Sequence, residues 1–159
     1  MDDRKDRRAL VNANTKLPTV LIVDDEMDMR LFMTTLFETS GFQAVAVRDG
    51  RQGLTKAGSI NPDLIVLDVM MPGEGGAAMY KALKSDARLA AIPVIMLSAV
   101  DEKAFRHFLA MINMKSRTPV PDPEAYMEKP PDPQALLTLA RRVLATRSRG
   151  LSGPPLDPV

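Results

Sequence analysis

Three aspartates in this sequence follow runs of aliphatic residues, a position at which a carboxylate can do chemistry. Asp24 and Asp25 end the run VLIVDD, and Asp68 ends the run LIVLD. Carboxylates that meet without a metal repel one another and raise at least one pKa, whereas a hard divalent cation turns the repulsion into coordination. The set therefore predicts a Mg²⁺ site, and Asp68 is a candidate nucleophile that can form an aspartyl phosphate.

Two further polar residues follow apolar runs later in the chain. Ser98 ends the run PVIML, and Lys129 comes directly after AYME. A metal ion and a lysine ammonium can neutralise charge on transferring phosphoryl oxygens, and phosphoryl transfer depends mostly on such positioning and electrostatics. These residue types therefore favour a phosphoryl-transfer site.

The hydrophobic pattern predicts the elements that position these residues. The predicted strands are apolar runs bounded by turn residues, at 20–25, 42–47, 64–68, 93–98 and 125–128. The predicted helices cover 26–40, 50–58, 77–83, a segment through 105–112, and 133–146. Asp132 is the predicted N-cap of the last helix, with Pro133 at its first position.

Strands that alternate with helices predict an α/β doubly wound parallel sheet, because parallel strands need crossovers and both sheet faces must be covered. In such sheets, ligands bind outside the carboxyl ends of the strands. The candidate residues all fall at or just beyond predicted strand ends, so we expect one edge of the sheet to gather them.

Composition limits the partners and the chemistry. Lys and Arg number 21 against 20 for Asp and Glu, and a net charge of +1 gives no field that would attract nucleic acid or an anionic membrane. The absence of cysteine excludes disulfides and thiol chemistry, so any metal must be held by oxygen. No signal-peptide pattern or membrane-spanning run is found, which predicts a cytoplasmic protein.

Four short motifs carry a resemblance to a known family. They are VDDE at 23–26, LDVMMPG at 67–73, LSA at 97–99 and YMEKP at 126–130. In this order they resemble the receiver domain of two-component response regulators, a chemotaxis-regulator-like domain, over about 18–146. The resemblance implies a flavodoxin-like (βα)5 three-layer sandwich with parallel strand order 2-1-3-4-5.

The resemblance also implies a set of metal-site roles. Asp68 would be the phosphoacceptor, Asp25 a direct Mg²⁺ ligand and Asp24 an acidic neighbour that contacts the metal through water. The backbone carbonyl of Met70 would complete the protein's share of the metal ligands. These positions define the implied Mg²⁺ site.

Three further positions match the residues that respond to phosphorylation in this family. Ser98 matches the hydroxyl that bonds a phosphoryl oxygen, Lys129 matches the lysine that pairs with it, and Tyr126 matches the aromatic switch residue. Phosphorylation would then shift the population between two arrangements of the adjoining loops.

The implied function is phosphorelay signalling rather than catalysis, with at most slow self-dephosphorylation. A sensor histidine kinase or phosphotransfer protein would supply the phosphoryl group. A downstream protein or a second copy would bind the face formed by the fourth helix, the fifth strand and the fifth helix. Met70 and Val100, two residues beyond Asp68 and Ser98, are apolar and predict restricted water attack and a long-lived phosphoaspartate.

Three other functions are compatible with parts of the pattern. An aspartate-nucleophile phosphatase of the haloacid-dehalogenase type places a second aspartate where Met70 stands. A nucleotide-binding module would rest on Gly73, Gly75 and Gly76, without a Walker lysine or the full glycine pattern. A phosphorylation-independent adaptor receiver is expected to lack some acidic or lysine positions, and this chain has them all.

The predicted domain organisation is a flexible N-terminal tail at 1–17, a receiver domain at 18–147 and a C-terminal tail at 148–159. The chain is then either a stand-alone receiver or a fragment cut at a linker. A loop around 114–124 is longer than is usual in the family and contains three prolines. It is either a passive surface loop or a rebuilt partner surface, and the sequence favours neither.

Overall fold

A five-stranded parallel sheet with helices on both faces forms the body of the protein. The computed structural model describes residues 16–71 and 75–150. The strands are β1 (Thr19–Val23), β2 (Gln43–Val47), β3 (Leu64–Asp68), β4 (Val94–Ser98) and β5 (Ala125–Glu128). The helices are α1 (Met27–Glu38), α2 (Gly50–Ile60), α3 (Gly76–Ser85), α4 (Glu102–Met114) and α5 (Pro133–Gly150). The strand order is β2-β1-β3-β4-β5, which confirms the predicted flavodoxin-like fold.

The register of the sheet aligns the strand ends that carry the candidate residues. Val23 at the end of β1 pairs with Leu67, one residue before Asp68. Asp68 in turn pairs with Leu97, one residue before Ser98. Because every pair is parallel, the carboxyl ends of the central strands lie along one edge. The predicted gathering of side chains follows from this alignment.

Both faces of the sheet are covered, which explains why the strands read as continuous apolar runs. One face presents residues such as Leu21 and Ile65 to α2, α3 and α4. The other face presents residues such as Val20 and Leu64 to α1 and α5. Every residue of β1, β3 and β4 is buried, so the sequences of these strands do not alternate between polar and apolar residues.

Aspartates begin three of the helices by accepting hydrogen bonds from the first turn. Asp49 accepts from the Gln52 N–H at the start of α2, and Asp101 accepts from the Ala104 N–H at the start of α4, both at 2.8 Å. Asp132 accepts from the N–H of Ala135 at 2.7 Å, which confirms its predicted role as the cap of α5.

Several predicted boundaries differ from the observed ones. Strand β1 ends at Val23 rather than at 25, and its pairing with β2 and β3 also ends there. Helix α5 continues to Gly150 rather than ending at 146, so 148–150 belong to the helix and not to the predicted tail. Arg147 supports the extension by donating to the carbonyl oxygen of Asp63 at 3.0 Å, and cations stabilise a helix C-terminus. The remainder of that predicted tail, at 151–159, and residues 1–15 lie outside the described residues.

The long segment between α4 and β5 is attached to the body of the protein. The side-chain amide of Asn113 bonds both the backbone N–H and the carbonyl of Val120, each at 3.0 Å. Val120 is buried in the core beside Tyr80, whose hydroxyl donates to the carbonyl oxygen of Pro121 at 2.6 Å. We call residues 119–124 the anchored return, because these contacts hold it against α3 and α4.

Candidate functional site

The candidate residues of the central strands meet at the carboxyl edge of the sheet. Asp24 follows β1, Asp68 ends β3, and Lys129 follows β5. The Lys129 ammonium nitrogen lies 2.8 Å from Oδ2 of Asp24 and 3.1 Å from Oδ2 of Asp68. The structure therefore brings together Asp24, Asp68 and Lys129, three of the residues that the sequence selected.

Glu26 belongs to this group, although sequence reasoning did not select it. Its Oε1 lies 3.0 Å from the Lys129 ammonium nitrogen, and its backbone N–H donates to Oδ1 of Asp24 at 2.9 Å. The available signal was its place in the VDDE motif, directly before a helix. That signal alone did not indicate which way its side chain would turn.

The acidic neighbours of Lys129 stabilise its positive charge. Its side chain is only 9% exposed, and burial by itself disfavours the ammonium form. The contacts with Asp24, Glu26 and Asp68 outweigh burial and hold the pKa of Lys129 above its usual value. Lys129 is therefore a cation at neutral pH.

Asp68 is a buried carboxylate with an acceptor contact at each oxygen. Oδ1 accepts from the backbone N–H of Met70 at 3.0 Å, and Oδ2 faces Lys129. Burial raises the pKa of Asp68; the Met70 N–H and Lys129 oppose this effect, and the charge of Asp24 adds to it. The carboxylate is thus held in a fixed orientation in a site that penalises its negative charge.

Asp24 is fully buried and one of its oxygens is poorly satisfied. Its Oδ2 accepts no hydrogen bond of good geometry within the described part of the chain, although Lys129 lies beside it as an ion pair. The loop that carries Asp24 and Asp25 is held by Arg30, whose guanidinium donates to both of their carbonyl oxygens, at 2.9 and 3.0 Å. A buried carboxylate oxygen in this state has room for a further cationic partner.

The carboxylates fit a divalent cation. One carboxylate oxygen from each of Asp24, Asp25, Glu26 and Asp68 lies within 4.8 Å of the others. Oxygen ligands of this charge suit Mg²⁺, which keeps several waters and needs few protein carboxylates. The poorly satisfied oxygen of Asp24 supports the same assignment.

Ser98 and Tyr126 lie on the β4 and β5 side of the site and are joined through Val100. Ser98 is fully buried, and its hydroxyl oxygen accepts from the Val100 N–H at 3.3 Å. The Tyr126 hydroxyl donates to the carbonyl oxygen of Val100, and its ring stacks on Phe105 with centroids 5.2 Å apart. Burial raises the pKa of Tyr126, so it is a neutral donor at physiological pH. Tyr126 thus contacts the loop after Ser98.

Gly76 is a second residue near the site for which sequence reasoning predicted no contact with Asp68. It is the first residue of α3, and a Cβ placed on it would come within 1.8 Å of the carbonyl oxygen of Asp68. The close approach of α3 to the end of β3 thus requires the absence of a side chain at this position. The GEGG composition signals loop flexibility but not this contact.

Comparison with known proteins identifies the family to which this fold belongs. The family profile of the response regulator receiver domain matches residues 20–141. The chain belongs to this family, the receiver domains of two-component systems. The transcriptional regulatory protein GltR of Pseudomonas aeruginosa is 33% identical over 83% of this chain and 52% of its own length. The phosphate regulon regulator PhoB of the same organism is 30% identical over 87% of this chain and 57% of its own length.

Other relatives share a shorter part. The DNA-binding response regulator MtrA of Mycobacterium tuberculosis is 33% identical over 54% of this chain and 36% of its own length. The chain thus covers 57% or less of the length of each of these relatives.

Solved structures carry the same fold. The chemotaxis protein CheY4 of Vibrio cholerae superposes with a TM-score of 0.70 at 25% identity, covering 80% of this chain and 99% of its own. The signal receiver domain of a histidine kinase from Syntrophus aciditrophicus gives 0.70 at 25% identity, covering 89% and 99%. None of the helices in the described residues combines the length and the hydropathy that a bilayer span requires.

Proposed function

We propose that this receiver domain accepts a phosphoryl group on Asp68 with the help of Mg²⁺ and thereby switches a protein interaction surface. One observation carries the proposal: the Lys129 ammonium lies 3.1 Å from the buried Asp68 carboxylate, inside a cluster of acidic side chains. A single cation shared by several carboxylates suits a site that takes up a metal ion and an anionic group together.

Asp25 and Asp68 would bind the metal ion directly, Asp24 would contact it through water, and the backbone carbonyl of Met70 would complete the protein ligands. When bound, Mg²⁺ supplies positive charge that neutralises the transferring phosphoryl oxygens. Arg30 keeps the loop of Asp24 and Asp25 in place through their carbonyl oxygens. This contact would therefore position the two aspartates before the metal ion binds.

In the transfer step, a carboxylate oxygen of Asp68 forms a bond to phosphorus as the bond from phosphorus to the donor nitrogen breaks. The bonding electron pair stays with the donor nitrogen, which belongs to a histidine of the kinase or phosphotransfer protein. The Met70 N–H fixes the Asp68 carboxylate during attack, and Lys129 balances the charge that develops on the phosphoryl oxygens. No proton needs to leave in this step when Asp68 attacks as the carboxylate.

The switch would operate through Ser98 and Tyr126. A phosphoryl group adds about −1.5 to −2 charge at neutral pH, which favours new bonds from the Ser98 hydroxyl and Lys129. The Ser98 hydroxyl would then leave the Val100 N–H, and the loop to which Tyr126 is bonded would rearrange. The face formed by α4, β5 and α5 would present the change to a downstream protein or to a second copy of the chain.

The domain would act as a phosphoacceptor and not as an enzyme, in the cytoplasm, without binding nucleic acid or membrane itself. A phosphorylation-independent adaptor is the main alternative function. A haloacid-dehalogenase-type phosphatase is disfavoured because the position that would hold its acid/base aspartate carries Met70, which has no ionisable group.

The test is to incubate the protein with Mg²⁺ and acetyl phosphate and to locate the label by mass spectrometry. We expect an acid-stable, base-labile adduct on Asp68 that requires Mg²⁺ and is absent from Asp68→Ala. Beryllofluoride should bind the unmodified protein under the same conditions. Equal labelling of Asp68→Ala would reject the assignment, and labelling absent from the native protein would favour the adaptor.

A further inference from the structure

Glu26 has no role in the chemistry described so far, yet it occupies one of the three N–H donors of Lys129. A lysine ammonium has three donors and no acceptor. Its nitrogen lies 2.8 Å from Oδ2 of Asp24, 3.0 Å from Oε1 of Glu26 and 3.1 Å from Oδ2 of Asp68. Two of these contacts are hydrogen bonds, to Glu26 and Asp68, and the third is an ion pair with Asp24. Lys129 can therefore turn fully to a phosphoryl oxygen only when one of these carboxylates leaves.

The three carboxylates differ in how easily they can leave. The side chains of Asp24 and Asp68 are 0% and 3% exposed, so an uncompensated charge on either would be costly. The Glu26 side chain is 61% exposed, and water can replace Lys129 as its partner. Glu26 is thus the contact that exchanges at the lowest cost.

The backbone of Glu26 is nevertheless fixed. Its N–H is bonded to Asp24, and its carbonyl oxygen accepts from the Arg30 N–H at 3.0 Å in the first turn of α1. The side chain can therefore move away and return while its attachment point stays beside the site. This combination of a fixed backbone and an exposed side chain is what a reversible contact requires.

We propose that Glu26 is a positioning residue that holds Lys129 over the carboxylates in the unphosphorylated state and releases it when a phosphoryl group arrives. This inference rests on the proposed function. The contact between Glu26 and Lys129 must break for Lys129 to turn to the phosphoryl group, so it biases the domain towards the unphosphorylated state. Removing the contact lowers that bias.

Two substitutions separate the contact from the charge. Glu26→Asp keeps the charge but is one methylene shorter and loses the reach to Lys129. Glu26→Gln keeps the length but loses the charge. We expect both to tighten beryllofluoride binding at saturating Mg²⁺ by roughly two- to fivefold, the factor typical of an exposed ion pair. Titration of Mg²⁺ alone should show weaker binding for Glu26→Gln and unchanged binding for Glu26→Asp.

Asp28→Asn is the matched control, because Asp28 is an exposed acid in the first turn of the same helix without a contact to Lys129. It should leave both affinities at the native values. A metal-free measurement is also available: the ¹⁵N-detected ammonium protons of Lys129 should exchange with water faster in both Glu26 variants than in the native protein and in Asp28→Asn.

The outcomes separate the inference from the proposed function. If the native protein binds beryllofluoride and Glu26→Asp binds it no more tightly, the positioning role is wrong while the proposed function stands. If the native protein does not bind beryllofluoride at all, the proposed function itself fails. Tighter binding by both variants, with faster ammonium exchange, supports the role of Glu26.

Discussion

Gly76 lies against the backbone of Asp68, so that the first turn of α3 supports the end of β3. A methyl group on Gly76 would come within 1.8 Å of the Asp68 carbonyl oxygen and 2.9 Å of the Val69 Cα. These neighbours are backbone atoms and cannot turn away as a side chain could. The orientation of the Asp68 carboxylate therefore depends on the absence of a side chain at position 76.

Gly76→Ala should destabilise the fold by about 1–3 kcal/mol, as expected when a methyl group is forced into a packed site. The folded Gly76→Ala protein should also accept a phosphoryl group more slowly, because the backbone of Asp68 must shift to make room for the methyl group. Chemical denaturation and labelling by acetyl phosphate measure the two effects. Gly58→Ala is the control: its methyl group would meet nothing within 4 Å inside α2, and a gain of about 0.4–1 kcal/mol is expected. A native-like Gly76→Ala would contradict the prediction.

The stability of the protein should depend on pH through Asp68. Burial raises the pKa of Asp68 above 3.8, even with the opposing effects of Met70 and Lys129. The folded state then holds this proton more tightly than the unfolded chain does. The contribution to stability is fully present below pH 3.8 and is lost as the pH rises through the folded pKa.

Asp68→Asn should therefore melt at a higher temperature than the native protein at pH 7 without Mg²⁺. The difference should shrink as the pH falls towards 3.8, because the native carboxyl becomes protonated. Thermal unfolding at several pH values measures it, with Asp28→Asn as an exposed comparison. A destabilised Asp68→Asn at pH 7 would show that the contact with Lys129 outweighs burial.

Met70 should control the lifetime of the phosphorylated state. This residue is 62% exposed, so a polar side chain can be introduced there without disturbing the core. Met70→Asn should accelerate dephosphorylation, because a polar group two residues beyond the phosphoacceptor can orient water. Loss of label is the measurement.

Met114→Asn is the matched control for Met70→Asn. Met114 is 87% exposed at the last residue of α4, about 18 Å along the helix from its first turn. It should leave the rate unchanged. Slower loss of label from Met70→Asn would overturn the prediction.

Tyr80 should contribute to stability through the anchored return. Its hydroxyl is buried and donates to the Pro121 carbonyl oxygen at 2.6 Å. Tyr80→Phe keeps the ring and removes this bond, which should cost about 1 kcal/mol. Urea denaturation tests this, and exchange of the Val120 amide proton, which bonds to Asn113, should report the loosening locally. An unchanged midpoint would mean that water satisfies the carbonyl equally well.

The sheet and most of the site geometry could be predicted from the sequence because both depend on strands. Apolar runs such as VLIV and LIVL are continuous since both faces of the sheet are buried, and a polar residue at the end of such a run must lie at the edge. The positions of Asp24 and Asp68 follow from that rule alone. Lys129 follows β5, which is only half-buried and ends in Glu128, so its place was predicted from the order of the strands and from the YMEKP motif.

The contacts that the sequence did not predict depend on side-chain direction or on segments that meet only in the fold. Glu26 and Lys129 are 103 positions apart, and their pairing depends on how α1 leaves the sheet. Docking of the anchored return depends on Tyr80, which belongs to a different helix and carries no local signal for Pro121. The end of α5 was missed because the polar sequence TRSRG shows no apolar periodicity.

The attachment of the anchored return leaves Arg117 and Thr118, just before it, exposed at the turn after α4. The Ser116 hydroxyl donates to the carbonyl oxygen of Thr118 and accepts from the Thr118 N–H, at 2.9 and 3.3 Å. A fluorophore or a short peptide tag placed at Arg117 would project into solvent, while the hydrogen bonds between Asn113 and Val120 stay in place. The chain thus offers an attachment point from which partner binding to the neighbouring helix can be followed optically.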